Sequence, residues 1–252
     1  MTARTPLIVG NWKMHGSVTS SQQLISDLCS EDSMHGGPVM LLCPPYPYLH
    51  VAAEALKGVA VVLGAQNLAM EPNSGAFTGE VSGLMLKEFG CEYVIVGHSE
   101  RRGLYGETNS VVANKFIAAQ TQNLKPILCV GETLEQRETG QTQTVVRRQI
   151  QKVIDSSGLA AFGRAVVAYE PVWAIGTGLT ATPEQAQEVH SMIRALIGEQ
   201  DAIIASEIQI IYGGSMKSGN AKELLAMEDV DGGLVGGASL DAEEFLAIFR
   251  AA

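Results

Sequence analysis

The chain has 252 residues and a formal net charge of −10. That acidic balance argues against nucleic acid as a partner, because phosphate backbones attract basic surfaces. Apolar residues make up 46% and charged residues only 17%, which points to a large dry core, and no apolar run is long enough to suggest a membrane span.

Met1 to Pro6 lacks the apolar region of a signal peptide. Cys29, Cys43, Cys91 and Cys129 form no CxxC pair and lie in or beside apolar segments, so buried free thiols and a cytoplasmic location are expected.

In chain order, short apolar runs alternate with longer helical patterns. Leu7–Asn11, Val39–Cys43, Val59–Gln66, Tyr93–Gly97, Pro126–Val130, Val166–Tyr169, Ile208–Tyr212 and Gly233–Val235 read as strands. Most are apolar throughout, as strands covered on both faces are. Between them, Thr133 with Gln136 fits a capping box, and Thr182-Pro183-Glu184 supplies a cap, a first-turn proline and a favourable charge. Asp241, Glu243 and Glu244 suit the start of a last helix. About eight strand–helix units recur roughly every 30 residues, the spacing of βαβ connections. No linker divides them, so an α/β fold is expected: a closed (β/α)8 barrel, one domain over residues 1–252. An open doubly wound sheet is the alternative, which the count of units disfavours.

Two connections stand out. Gln66–Gly79 is long and polar, with Phe77 near its tip. It suggests insertion into a second copy of the chain, the alternative being packing on its own surface. The other is Pro171-Val172-Trp173-Ala174-Ile175-Gly176-Thr177-Gly178, an apolar tip flanked by glycines that reads as a lid.

In a barrel, the C-terminal strand ends meet on one face. Those ends supply Asn11 and Lys13 from the first strand, Gln66-Asn67 from the third, and His98 through Arg102 from the fourth. The sixth supplies Glu170, and the last two supply Gly213-Gly214-Ser215 and Gly236-Gly237. Glycine turns let backbone N–H groups approach an anion closely, and a following helix adds the positive end of its dipole. His98 at a helix start favours a neutral imidazole. Lys13 reads as a cation for an anionic substrate, with Glu100 as its ion partner. Arg101 and Arg102 are expected to pair with acids such as Glu80 or Glu107.

The chain resembles the triosephosphate isomerase family from end to end. The motifs that carry the likeness are GNWKM at Gly10–Met14, GAFTGE at Gly75–Glu80, GHSERR at Gly97–Arg102, YEPVWAIGTG at Tyr169–Gly178, YGGS at Tyr212–Ser215 and LVGGASL at Leu234–Leu240. The resemblance implies a TIM barrel that interconverts dihydroxyacetone phosphate and D-glyceraldehyde 3-phosphate through an enediolate, in glycolysis and gluconeogenesis. It implies no metal or organic cofactor. It assigns Glu170 as the base, His98 as the neutral electrophile, and Lys13 with Asn11 as stabilisers of negative charge. The amides of Gly176, Ser215, Gly236 and Gly237 match the phosphate cradle. A homodimer is implied, with Thr78 beside Phe77 on the long loop supporting the partner's site. His15, Met216 and Asp241 stand where asparagine, valine and lysine are common in the family.

Two other readings remain at this stage. One is a phosphate-binding barrel aldolase with a Schiff-base lysine at Lys13 or Lys125, although Lys125 precedes a strand and should face the wrong end. The other is a catalytically silent barrel that acts as a binding protein.

Overall fold

The computed structural model describes residues 4–29, 37–176 and 179–252. Met1 and the lid positions Thr177 and Gly178 lie outside them. Eight parallel strands close into one barrel in sequence order. They are β1 (Leu7–Asn11), β2 (Val39–Cys43), β3 (Val61–Ala65), β4 (Tyr93–Val96), β5 (Lys125–Val130), β6 (Val166–Tyr169), β7 (Gln209–Tyr212) and β8 (Gly232–Val235). Closure is made by β1, which pairs Leu7 with Val39 on one side and with Gly232 on the other.

The helices of the outer ring are α1 (Val18–Cys29), α2 (Leu49–Ala55), α3 (Gly83–Glu88), α4 (Ser99–Leu104), α5 (Asn109–Thr121), α6 (Leu134–Glu138), α7 (Thr142–Ser157), α8 (Pro183–Gly198), α9 (Ala202–Glu207), α10 (Ser218–Leu225) and α11 (Ala242–Arg250). The expected caps form. Thr133 and Thr182 each make a reciprocal capping box, and Asp241 accepts from the Glu244 amide at the head of α11. None of these helices is long and apolar enough to cross a membrane.

Strand alternation divides the core in two. Leu7, Val9, Leu41, Cys43, Ile95, Ile127, Cys129, Ala168, Ile211 and Leu234 fill the barrel interior as one cluster. Ile8, Met40, Leu42, Val94, Val96, Leu128, Val167 and Ile210 face the helices in a second, larger cluster. Side chains on a strand alternate faces, so runs buried on both sides read as apolar throughout.

Strand edges move slightly from expectation, each for a local reason. β4 stops at Val96 because Gly97 turns with φ of 70°. β5 starts at Lys125, whose partner is Tyr93 across a parallel ladder. β3 keeps only Val61–Ala65 of the longer run. All four cysteines are free thiols.

Candidate active site

The inward register of each strand, continued one step past its end, builds the rim. Val9 points inward, and so Asn11 does. Ala168 points inward, and so Glu170 does, followed on the next strands by Gly213 after Ile211 and Gly236 after Leu234. Two of these positions leave little or no room for a side chain. A Cβ at Gly213 would fall 2.8 Å from Glu170 Cγ, and one at Gly236 would fall 3.2 Å from Lys13 Cε. Glycine there lets the base and the cation approach the barrel axis.

Lys13 adopts a left-handed backbone, φ 52°, unusual for a residue with a side chain. Three contacts hold it there. Its amide donates to Asn11 Oδ1 at 3.1 Å, and its carbonyl accepts from Gln66 Nε2 at 2.9 Å. Its ammonium meets Glu100 Oε1 at 2.5 Å, the ion partner expected from sequence.

His98 is the N-cap of α4, and its Nδ1 accepts the Glu100 amide at 3.2 Å. Only an unprotonated Nδ1 can accept, so in the neutral ring the proton sits on Nε2. Nε2 lies 3.0 Å from Glu170 Oε1 but off the line of a hydrogen bond, leaving Oε1 buried without a donor. Burial disfavours charge on His98, while the adjacent Glu170 carboxylate pulls its proton affinity above the ordinary imidazole value. The Glu100 amide opposes that second proton.

Glu170 is 1% exposed. Burial pushes its carboxyl upward, but His98, the Ser99 amide at 2.8 Å and Arg102 together hold it below the usual carboxylate value. It is therefore ionised at neutral pH.

A cavity of about 330 Å³ is lined by Asn11, Lys13, His98, Gly176, Ser215, Gly236 and Gly237. Every expected ligand-binding group is thus gathered in one place. Glu170 is the exception. Its carboxylate is withdrawn behind His98, and the residue lines another cavity of about 280 Å³ with Ser99, Arg102 and Gln149.

Trp173, in the segment read as a lid, is held by a residue the sequence reading overlooked. Glu132, fully buried after β5, accepts from Trp173 Nε1 and Tyr169 Oη, both at 3.0 Å, and from Arg137 at 3.3 Å. The Arg137 guanidinium also stacks 4.8 Å from the Trp173 ring. An acid just past an apolar strand, the same signal that marked Glu170, would have found it. The expectation for the arginines holds only for Arg101, which meets Glu107 at 2.5 Å. Arg102 donates to main-chain carbonyls and an amide instead. Lys125 sits at the start of β5, at the opposite end from the site, beside Tyr93.

Phe77 and Thr78 are exposed on the tip of the long loop, Phe77 to 45%. A second groove of about 270 Å³, lined by Lys13, Met14, Tyr46, Gln66, Glu100 and Tyr105, adjoins the first cavity.

Comparison with known proteins agrees with this geometry. A family model described as triosephosphate isomerase matches residues 6–252. A protein of that name from Nitrosococcus oceani is 54% identical over 249 residues, covering 99% of both chains. Namesakes from Thiobacillus denitrificans and Pseudomonas putida are 55% and 52% identical over the same share of each chain.

Proposed function

The chain belongs to the triosephosphate isomerase family, and on that premise we propose that Glu170, His98 and Lys13 carry out its chemistry. The reaction interconverts dihydroxyacetone phosphate and D-glyceraldehyde 3-phosphate, a step of glycolysis and gluconeogenesis. Taking a proton from carbon beside a carbonyl creates an enediolate, whose charge must be stabilised more in the transition state than in the ground state.

Glu170 removes that proton from one carbon and returns it to the other. His98 donates from Nε2 to the carbonyl oxygen, the tautomer being set by the Glu100 amide at Nδ1. Lys13 places its ammonium beside the developing oxyanion and the phosphate. Asn11 has spent its carbonyl on the Lys13 amide, so its NH₂ group is left to donate to substrate. Amides of Gly176, Ser215, Gly236 and Gly237 cradle the phosphate, where glycine permits close approach.

The withdrawn carboxylate sets a requirement. Glu170 must advance past His98 into the substrate cavity, and closure of the 171–178 lid supplies the occasion. Trp173 would leave Glu132 as the lid moves. Leaving the Ser99 amide and the imidazole removes two groups that hold the carboxyl low, and a drier site raises its proton affinity, as a base requires. Closure also keeps water from a reactive intermediate.

One observation carries this reading: Asn11, Lys13, His98 and the two glycine turns line one cavity, with Glu170 Oε1 3.0 Å behind the imidazole. A coupled assay of triose phosphate isomerisation, run on the chain and on Glu170→Gln, tests it. Turnover in the parent that collapses in the variant is expected; turnover in neither, or equally in both, rejects the assignment.

The same reading extends to a cytoplasmic homodimer. Phe77 and Thr78 would enter the groove beside Lys13 on a second copy, a groove flanked by Met14, 92% exposed, and Tyr105. Apolar side chains exposed around one site mark an interaction surface. Sedimentation at micromolar concentration should give twice the chain mass, and Phe77→Glu should give the monomer. Four free thiols suit a reducing compartment.

A further inference from the structure

Arg102 occupies a place that none of the assigned roles uses. It lies on α4, one turn after His98, and its guanidinium reaches back beneath the rim. Nε donates to the Gly97 carbonyl at 2.7 Å, Nη1 to Asn109 Oδ1 at 2.7 Å and Nη2 to the Cys129 carbonyl at 3.0 Å. Gly97 turns there with φ of 70°, and a Cβ on it would stand 2.7 Å from Val112 and 2.9 Å from Nη2, so the guanidinium packs where only glycine leaves room. None of the three partners is a carboxylate. A half-buried cation held by neutral oxygens alone is unfavourable unless a nearby negative charge offsets it.

Glu170 supplies that charge. Arg102 and Glu170 line the same cavity of about 280 Å³, and the two charges act on each other. The three contacts also tie the end of β4 to the end of β5. They thereby fix Gly97, and with it His98 and the Ser99 amide that Glu170 accepts at 2.8 Å.

We propose that Arg102 is the positioning residue of the catalytic base: it aims the Ser99 amide and His98, and keeps a fixed positive charge beside Glu170. The proposal rests on Glu170 being the base. Among the described residues, the other ionisable groups that act on the carboxylate are His98, from the turn after β4, and the Cys129 thiol on β5, while β7 ends against it at Gly213. Burial holds the Cys129 thiol well above its usual value, so it stays neutral. Of these groups, Arg102 carries the permanent charge.

The test is steady-state isomerisation from pH 4 to 9 by the intact chain, Arg102→Gln, Arg102→Lys and Glu170→Gln, the range reaching below the usual carboxylate value because Glu170 is held low. Thermal melts report folding. Arg102→Gln should lower kcat by about 10- to 100-fold, with KM within about threefold. Its acid limb in kcat/KM should move to higher pH, because a carboxylate deprived of a cation binds its proton more tightly. The substrate phosphate also titrates near pH 6, but equally for every variant, so only the difference between variants is read. Arg102→Lys should keep the acid limb at its parental pH and recover part of kcat, since an ammonium restores charge without the planar fork.

A folded Arg102→Gln with an unmoved acid limb, or a loss confined to KM, overturns the proposal. If Arg102→Gln does not fold, Arg102→Lys decides: parental kcat overturns the proposal, while a reduced kcat with an unmoved limb sustains it. Glu170→Gln keeps the two readings apart. Inactive Glu170→Gln beside a normal Arg102→Gln rejects only the role of Arg102, whereas an active Glu170→Gln rejects the base itself.

Discussion

The two ends of the barrel treat buried charge differently. At the N-terminal end, Arg194 on α8 gives Nε to Asp229 at 2.5 Å and Nη2 to Asp231 at 2.6 Å, with further bonds to the carbonyls of Ala205 and Ile208. Asp231 also takes Arg4 at 2.6 Å and the Ile210 amide at 2.8 Å. Both of its oxygens are used. At the C-terminal end, Glu107, Glu132 and Glu170 each keep one buried oxygen without a hydrogen bond among the described residues. They belong to the connections after β4, β5 and β6. At one end the two aspartates are bonded to arginines, and they hold the first and last strands to α8. The other retains unmet bonding capacity, which a ligand or a moving lid can use, at some cost to stability.

Substitutions at the two ends should therefore fail in different currencies. Glu170→Gln should lose roughly 10²–10⁴-fold or more in kcat while its urea midpoint stays near the parent's. A loss of folding in step with activity would blur the distinction between the ends. Asp231→Ala should do the reverse. It takes one of two carboxylates from Arg194 and the carboxylate from Arg4, and leaves the Ile210 amide without its acceptor, at a cost of about 1.5–3 kcal/mol in urea unfolding, with kcat per folded molecule unchanged.

His190 on α8 sharpens the contrast through pH. It is fully buried, its Nδ1 lies 3.0 Å from the Asp229 carbonyl, and burial lowers its pKa to about 4. Between the unfolded value near 6.5 and about 4, the unfolded chain binds a proton that the folded chain refuses. Stability from this group is complete above pH 6.5 and falls by about 3 kcal/mol on acidification to pH 4. In His190→Gln the urea-derived stability should lose that slope; an unchanged slope would place the effect elsewhere.

The smallest effect belongs to the lid. Trp173→Phe removes the indole donor to Glu132 and leaves the ring for Arg137 to stack on. One such hydrogen bond contributes about 1 kcal/mol, so kcat or KM should change by about fivefold. A hundredfold change would mean that the bond to Glu132 does more than hold the lid.

Much of this was legible without coordinates. Continuous apolar runs such as Val39–Cys43 and Val166–Tyr169 gave strands at their observed ends. Thr182 and Thr133 named two helix starts by the spacing to a glutamine. The candidate site residues were read as polar groups at strand ends, and most line one cavity. Glu132 escaped because its sequence neighbours resemble an ordinary helix approach, and only folding brings Tyr169, Trp173 and Arg137 around it. The adjacent arginines were indistinguishable in sequence, since on a helix one residue turns about 100° from the next. That rotation sends Arg101 to Glu107 and Arg102 beneath the rim.

By itself the sequence determined the strand–helix alternation, the strand faces and the residue types at each rim position, all of which depend on local period and on glycine or proline chemistry. The tertiary structure decided which charges meet. The withdrawal of Glu170 behind His98, the left-handed Lys13 and the partner chosen by Arg102 depend on distances between segments tens of residues apart. Barrel closure sets those distances, and no local pattern encodes them.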